Sequence, residues 1–429
     1  MIMTAFKKVW AGMAALIITY FAVLLVLRSG ILFGAEKKID GIEEAGVSFE
    51  AFGIPADVRV VGIGEATHGN REFQTLKKLV LQKLVNEGDG RAIAFEISAG
   101  EAEMLNDAIH NEESDIIELL GKQSYPLYDT EEIADLLNWM REYNKNVCYE
   151  DSLMFYGVDM QGGYTSIEYM KSLCVSDPDI FTKEEKTKLL SIDTDNRETY
   201  SADKNFFVKM GKRLSAAEDV YSRQVAALAD VIVQYIEAPD FETDPAEYSS
   251  YRDSCMAENL KRFSEMEAGR GYTQILITAH NGHVMKGSSA AYDDENLLTM
   301  GENISRLFDG SYFCIGSEFY NTCVNIHTAG TYDDEYERAD HEYCSDDPLA
   351  YQAKFFDGGW YCLDFTKLND ENSVLYKTVH SFIFTGLVGE GYNVLGDIAK
   401  SYRIKIVPAD RYDAVVYYYE VTPIDPVHY

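Results

Sequence analysis

The period of the hydrophobic positions changes several times along the chain, and those changes predict its elements. Val58, Val60, Val61 and Ile63 fall in a short β-branched run that reads as a strand. Phe73, Leu76, Val80 and Leu84 follow at the three-and-four spacing of one helix face, over about residues 70–86, and Gly88 and Gly90 stop that helix. Residues 92–95 read as a second strand, 99–120 as a helix, and 153–158 as a third strand. Asp129 with Glu132 three residues on predicts a capping-box start for a helix reaching about Tyr143. Alternating strands and helices are the signature of a parallel sheet covered by helices.

Residues 166–262 break that alternation. They are rich in Lys, Glu, Asp and Ala, and 182–190, 204–214 and 216–236 read as helices. Strand patterns return at 274–278, at 312–315 with an extension to Phe319, and at 415–421. The expected fold is α/β: a mostly parallel central sheet with flanking helices and a helical insertion.

One N-terminal transmembrane helix is expected to precede it. Residues 9–27 contain no charge, with Lys7 and Lys8 before them and Arg28 after. Nineteen residues at about 1.5 Å each just span a hydrocarbon core of about 30 Å. The run is long for a cleaved signal peptide and leads into no small-x-small site, so it reads as an uncleaved anchor. The expected division is 1–8 cytoplasmic, 9–27 anchor, 28–47 linker, 48–165 first half of the core, 166–262 helical insertion, and 263–429 second half with a C-terminal extension. The body then lies outside the cytoplasm.

Composition narrows the partners. The net charge of −33 excludes nucleic acid and a polybasic dock on anionic lipid, and it favours a neutral or cationic substrate over a polyanion. Seven cysteines show no CxxC, and an odd number leaves at least one unpaired within the chain. Cys344 and Cys362 are the candidates for a disulfide in an exported domain. The acidic stretch 331–348 lacks the glycine turn of an EF-hand and reads as a solvated loop.

The candidate chemistry lies just past strand ends. The first strand runs into Gly64-Glu65-Ala66-Thr67-His68-Gly69, the second into Glu96, the third into Gly157-Val158-Asp159, and the fourth into Ala279-His280-Asn281-Gly282-His283. Each residue alone has a plain structural reading as a cap, turn or core residue. Parallel strands, however, bring their carboxyl ends to one rim, where open α/β sheets bind ligands. Glu65, His68, Glu96, Asp159, His280 and His283 are therefore expected to converge. There is no G-x-S-x-G elbow, no Walker A motif, no G-x-G-x-x-G after a strand and no cysteine on the rim. That leaves activation of water by a histidine that a carboxylate orients, with a second histidine or acid stabilising an oxyanion. The same residues also suit a metal such as Zn, Fe or Mn, although HExxH is absent.

GEATHG with Glu72-Phe73, then Phe95-Glu96, Gly157-Val158-Asp159 and AHNGH together resemble the erythromycin esterase family, with Tyr251-Arg252-Asp253, Met256, Ala257 and Asn259 as a further motif. The resemblance covers about residues 48–325. It implies hydrolysis of a carboxylic ester or macrolactone without a cofactor, and macrolide resistance where the lactone is a macrolide. His68 matches the general base, Glu65 and Glu96 the orienting acids, and His280 and His283 the paired histidines. Asp159, Asn281, Lys77 and Arg252 are expected to bind substrate. Lys77 stands where the family usually carries arginine, which keeps the charge and loses the bidentate fork. Two other readings use the same residues: a metal-dependent hydrolase with His68, His280, His283 and an acid as ligands, and a membrane-anchored binding protein without turnover.

Overall fold

The structure is a computed structural model. It describes Met13, residues 15–20, 36–124, 126–177, 179–217, 219–289, 296–328 and 337–428. The expected span at 9–27 therefore lies mostly outside the described residues. Its described part is helical and exposed, and no described helix is long and apolar enough to cross a membrane.

Eleven described strands follow in chain order: β1 (Val60–Glu65), β2 (Gly90–Ser98), β3 (Met154–Asp159), β4 (Gln274–His280), β5 (Tyr312–Thr328), β6 (Arg338–Cys344), β7 (Trp360–Asp364), β8 (Ile383–Gly386), β9 (Gly391–Tyr392), β10 (Arg403–Ile406) and β11 (Ala414–Val421). The main sheet runs β3-β2-β4-β1-β5-β11-β7, with β6 and β9 also on β5, while β8 and β10 form a separate antiparallel pair. The first six strands in that order are parallel. β6 pairs antiparallel with β5, and β7 pairs antiparallel with β11.

β1 is buried at every position, which explains its near-continuous apolar run: helices cover both faces. Alternate side chains then enter two cores. Val61, Ile63, Ile93 and Phe95 pack on one face. Val60, Ala92, Ala94, Ile275 and Ile277 pack on the other. Helix α1 (Arg71–Glu87) buries Phe73, Leu76, Val80 and Leu84, the face its sequence spacing marks.

The region read as one helix over 99–120 is two, because α2 (Ala99–His110) ends at Asn111 and a short helix restarts at Ile116–Leu120. The helix after it is capped by Thr130, which accepts from Ile133 N at 3.2 Å, while Asp129 pairs with His428. Helices between β3 and β4 build a third core around Met160, Phe207, Leu228 and Ile232. They close with α3 (Pro245–Arg270), started by Asp244 and a proline in its first turn.

The C-terminal part differs most from its sequence reading. Residues 338–344 of the expected solvated loop form β6 along β5, while 331–336 lie outside the described residues. Asp346 and Asp347 are 3% and 1% exposed, so they are core groups rather than loop charges. β5 runs nine residues beyond Phe319, because β6 and β11 both continue to pair with it. Cys344 and Cys362 are free thiols, as are the other five cysteines.

The turn holding His68 is fixed from this C-terminal side. The Gly69 carbonyl accepts from Asn325 N and Ile424 N, both at 3.1 Å. A Cβ on Gly69 would lie 2.1 Å from the Asn325 carbonyl oxygen, where backbone, not a movable side chain, blocks it. Gly69→Ala is therefore expected to cost about 1–3 kcal/mol in urea unfolding, the usual cost of overpacking a filled site.

Candidate active site

Strands β1, β2, β3 and β4 end on one rim, and their terminal residues meet there. Neighbours in register place Glu65 beside His280 on β1 and β4. The rim lines a cleft of about 550 Å³ whose walls include His68, Glu96, Asp159, Arg252, His280 and His283. Ile97, Leu127, Phe241 and Tyr248 supply an apolar side. A smaller recess of about 290 Å³ shares His280, His283 and Gly389.

Glu65 is 1% exposed and accepts from four donors. His68 Nδ1 lies 2.9 Å from its Oε1, with Tyr128 OH at 3.3 Å from the same oxygen. Lys77 Nζ and Gln74 Nε2 donate to Oε2 at 2.6 and 3.1 Å. Gln74 Nε2 also donates to the His68 carbonyl at 2.9 Å, and Lys77 bonds the Gln74 amide oxygen. Burial alone would raise the pKa of Glu65. The Lys77 charge and the His68 hydrogen bond outweigh it and hold Glu65 at about 2.

An ionised Glu65 makes Nδ1 of neutral His68 the N–H. That leaves the Nε2 lone pair without a protein partner among the described residues, on a side chain that lines the cleft. Burial pulls the His68 pKa down, but the Glu65 bond and the charges of Glu65, Glu96 and Glu390 win and set it above the ordinary value.

The two downstream histidines differ from His68 and from each other. His280 Nε2 faces the carbonyls of Ala66 and Val388, each at 3.3 Å, and its Nδ1 accepts from Gly282 N. Burial and the His68 charge lower its pKa to about 4, so it is neutral with both nitrogens engaged. His283 Nδ1 is 2.5 Å from Asp253 Oδ1 and its Nε2 is 3.2 Å from Glu96 Oε1. Burial opposes its charge, yet those two carboxylates raise its pKa to about 10 and favour an imidazolium at neutral pH. Arg252 Nη1 also stands 3.2 Å from Nε2, a contact between two cations that the Glu96 carboxylate they share offsets.

Arg252 joins the second and third strand ends. Its Nη2 donates to Glu96 Oε1 at 2.7 Å and to Asp159 Oδ2 at 2.6 Å, and Nε reaches both Asp159 oxygens at 3.0 Å. Glu96 Oε2 in turn accepts from His280 N at 2.9 Å. One guanidinium thus ties β2 and β3 to α3, and the next residue on that helix, Asp253, holds His283.

Of the nine residues singled out from sequence, six line the cleft: His68, Glu96, Asp159, Arg252, His280 and His283. Glu65, Lys77 and Asn281 do not; Glu65 is buried behind His68. Lys77 is buried behind Glu65. Asn281 lies under the rim, donating to the Ser317 carbonyl and to Glu318 Oε1, both at 2.9 Å. Gln74, Tyr128 and the cleft-lining Glu101 and Glu390 were missed, and Asp253 stood in the Tyr251-Arg252-Asp253 motif without a role. Gln74 lies one helical turn before Lys77, a spacing that could have flagged it. Glu390 comes from the loop before β9 and is held by Arg338 at 2.5 Å, with no motif to mark it. Among the described residues no group of three or more His, Cys, Asp or Glu is gathered to hold a metal ion. His280 has both ring nitrogens engaged, and both ring nitrogens of His283 face carboxylates.

The fold and rim define an α/β protein with a histidine–carboxylate site at the ends of parallel strands. A family model described as erythromycin esterase matches residues 85–421, and the chain belongs to that family, which supports a hydrolase role. It is 23% identical over 318 residues to erythromycin esterase type II of Escherichia coli, covering 65% of this chain and 72% of that one. A Bacillus cereus protein of solved structure shares the fold at TM-score 0.67 and 22% identity, covering 87% and 91% of the two chains. A mutant of the erythromycin esterase EreC in its open conformation does so at 0.60 and 16%, covering 87% and 93%.

Removing Lys77 leaves the Glu65 carboxylate buried with no full positive charge against it. Lys77→Met should destabilise the protein by about 3–5 kcal/mol in denaturant unfolding, and adding Glu65→Gln to it should recover most of that loss.

Proposed function

We propose that the protein hydrolyses a carboxylic ester or macrolactone, with His68 as the general base. The observation that carries this reading is the Nε2 of His68: it has no protein partner among the described residues, on a side chain that lines the cleft, while Nδ1 is fixed on an ionised Glu65. A water between Nε2 and the substrate carbonyl gives up its proton to His68 as its oxygen attacks the carbon. The carbonyl oxygen becomes an oxyanion, and the His283 imidazolium and the Arg252 guanidinium are the cations at hand to stabilise it. Collapse breaks the acyl C–O bond, and the leaving alkoxide takes the proton back from His68. Acid and alcohol are released, and the base is neutral again. His280, neutral with both nitrogens engaged, serves as wall and spacer. Lys77 acts through Glu65. Asp159 and Glu96 hold Arg252 rather than substrate.

His68→Ala should lower kcat/KM for a cleaved ester by about 10²–10⁴-fold, the usual worth of a general base, with an unchanged unfolding midpoint. Activity kept at the parental level would reject the role. His68 must be neutral to act, and its pKa lies above 6.5, so activity should fall as pH drops through that raised value. Glu65→Gln removes the charge that raises it, so the acid limb of the pH–rate profile should shift to lower pH, with a lower plateau from a weaker base. A macrolide that is turned over would be inactivated, and expression should then raise the inhibitory concentration of that drug.

We also propose that residues 9–27 anchor the chain with its catalytic body outside the cytoplasm. The uncharged run supports this, as does the exposure of Leu16, Ile17, Ile18 and Tyr20 on its described helix. Membrane fractions washed with alkaline carbonate should retain the full chain and release one lacking residues 1–35; a full chain released by the wash would reject the anchor.

A further inference from the structure

Residues 422–428 run on from β11 as a strap that the hydrolytic reading does not use. Pro423 forms an antiparallel bridge with Asn70, and Pro426 forms one with Thr130. Both bridges are built the same way. At the first, Ile424 N donates to the Gly69 carbonyl at 3.1 Å, and Arg71 N donates to the Thr422 carbonyl at 3.0 Å. At the second, Val427 N donates to the Asp129 carbonyl at 3.1 Å, and Glu131 N donates to the Asp425 carbonyl at 2.9 Å. Proline lacks an N–H, and at each bridge its neighbours make the bonds, so neither bridge loses one.

Arg71 and Glu131 are the first residues of two helices, α1 and the helix Glu131–Asn144. A first helical N–H has no partner within its own helix, and the strap supplies a carbonyl to each. Asn70, the cap residue of α1, makes no side-chain cap bond. Its amide donates instead to the Thr422 carbonyl at 3.0 Å and the Cys323 carbonyl at 2.8 Å. Side chains extend the seam. Thr422 donates to the Glu72 carboxylate through N at 2.8 Å and Oγ1 at 2.7 Å. Asp425 pairs with Arg71, and His428 Nδ1 lies 3.0 Å from Asp129 Oδ1. Ile424, between the two bridges, is buried.

Each clamped segment directly follows a partner of one carboxylate oxygen. Gly69 follows His68, and Asp129 follows Tyr128. His68 Nδ1 and Tyr128 OH stand 2.9 and 3.3 Å from Glu65 Oε1. We infer that the strap 422–428 is a positioning element for the site: by holding the starts of two helices at one spacing, it keeps His68 and Tyr128 together on Glu65 Oε1. It acts through the turns after those residues, and its effect on turnover rests on the reading of His68 as the base. A His68 ring that drifts from Glu65 loses the bond that fixes its proton on Nδ1, and the Nε2 lone pair is then available only part of the time.

The test compares the full chain in detergent with one ending at Val421. In the shortened chain kcat for a cleaved ester should fall about 10–100-fold with KM within about twofold, the scale of a displaced catalytic group. Nitrogen-15 spectra of its neutral His68 ring should show both tautomers in place of Nδ1–H alone. The ring readout needs no substrate, so it holds or fails apart from the hydrolytic reading. If the shortened chain does not fold, Glu72→Ala with Asp425→Ala removes side-chain bonds of the strap, spares its backbone bonds, and should move both readouts in the same direction. Ile232→Ala, in the core of the helical insertion, should lower Tm and move neither readout. A His68 ring unchanged by loss of the strap would overturn the inference whatever kcat does. So would a change in ring and kcat that Ile232→Ala reproduces at the same loss of Tm.

Discussion

A carboxylate at the end of a buried parallel strand has no water to stabilise it, and in this protein that demand organises the site. Glu65 ends a strand that is buried throughout. It stays ionised only because Lys77 reaches it from the first turns of α1 and three further donors fill its lone pairs. Once ionised, it dictates the tautomer of His68. The same demand at Glu96 is met by Arg252 and the His283 imidazolium, and at Asp159 by Arg252. The chemistry of the cleft is thus the by-product of neutralising three strand-end acids with cations from helices.

The division of labour among the histidines follows from the same accounting. Protein covers most of each ring, although all three line the cleft, so burial pushes each toward the neutral form. What separates them is the number of carboxylates within reach. His283 touches two and is charged. His68 touches one and is poised. His280 touches none through its ring and has another histidine 5.1 Å away, so it is neutral. Base, cation and spacer are therefore assigned by neighbours rather than by residue type.

Much of this was legible in the sequence, for a physical reason. Strand ends in a parallel sheet share a rim, so residues after short apolar runs can be brought together on paper although they lie far apart in the chain. Glu65, His68, Glu96, Asp159, His280 and His283 follow from that geometry. Their partners on helices and loops do not. Asp253 follows a recognisable Arg252 but acquires its role only from the angle at which α3 crosses the rim. Glu390 comes from a connection with no periodicity. The acidic run near residue 340 misled, because composition shows that charges are plentiful and not which of them find cations. Asp346 does, and becomes core. The helix over 99–120 was read too long because the break at Asn111 carries neither glycine nor proline.

The central claim is that Glu65 leaves Nε2 of neutral His68 free to take a proton from water. Nitrogen-15 spectra of the histidine rings across a pH series test it most directly. The account predicts a His68 ring that titrates above 6.5 and, when neutral, carries its proton on Nδ1. It also predicts a His280 neutral down to about pH 4 and a His283 doubly protonated up to about pH 10. A neutral His68 with its proton on Nε2, or a His283 neutral at pH 7, would contradict it.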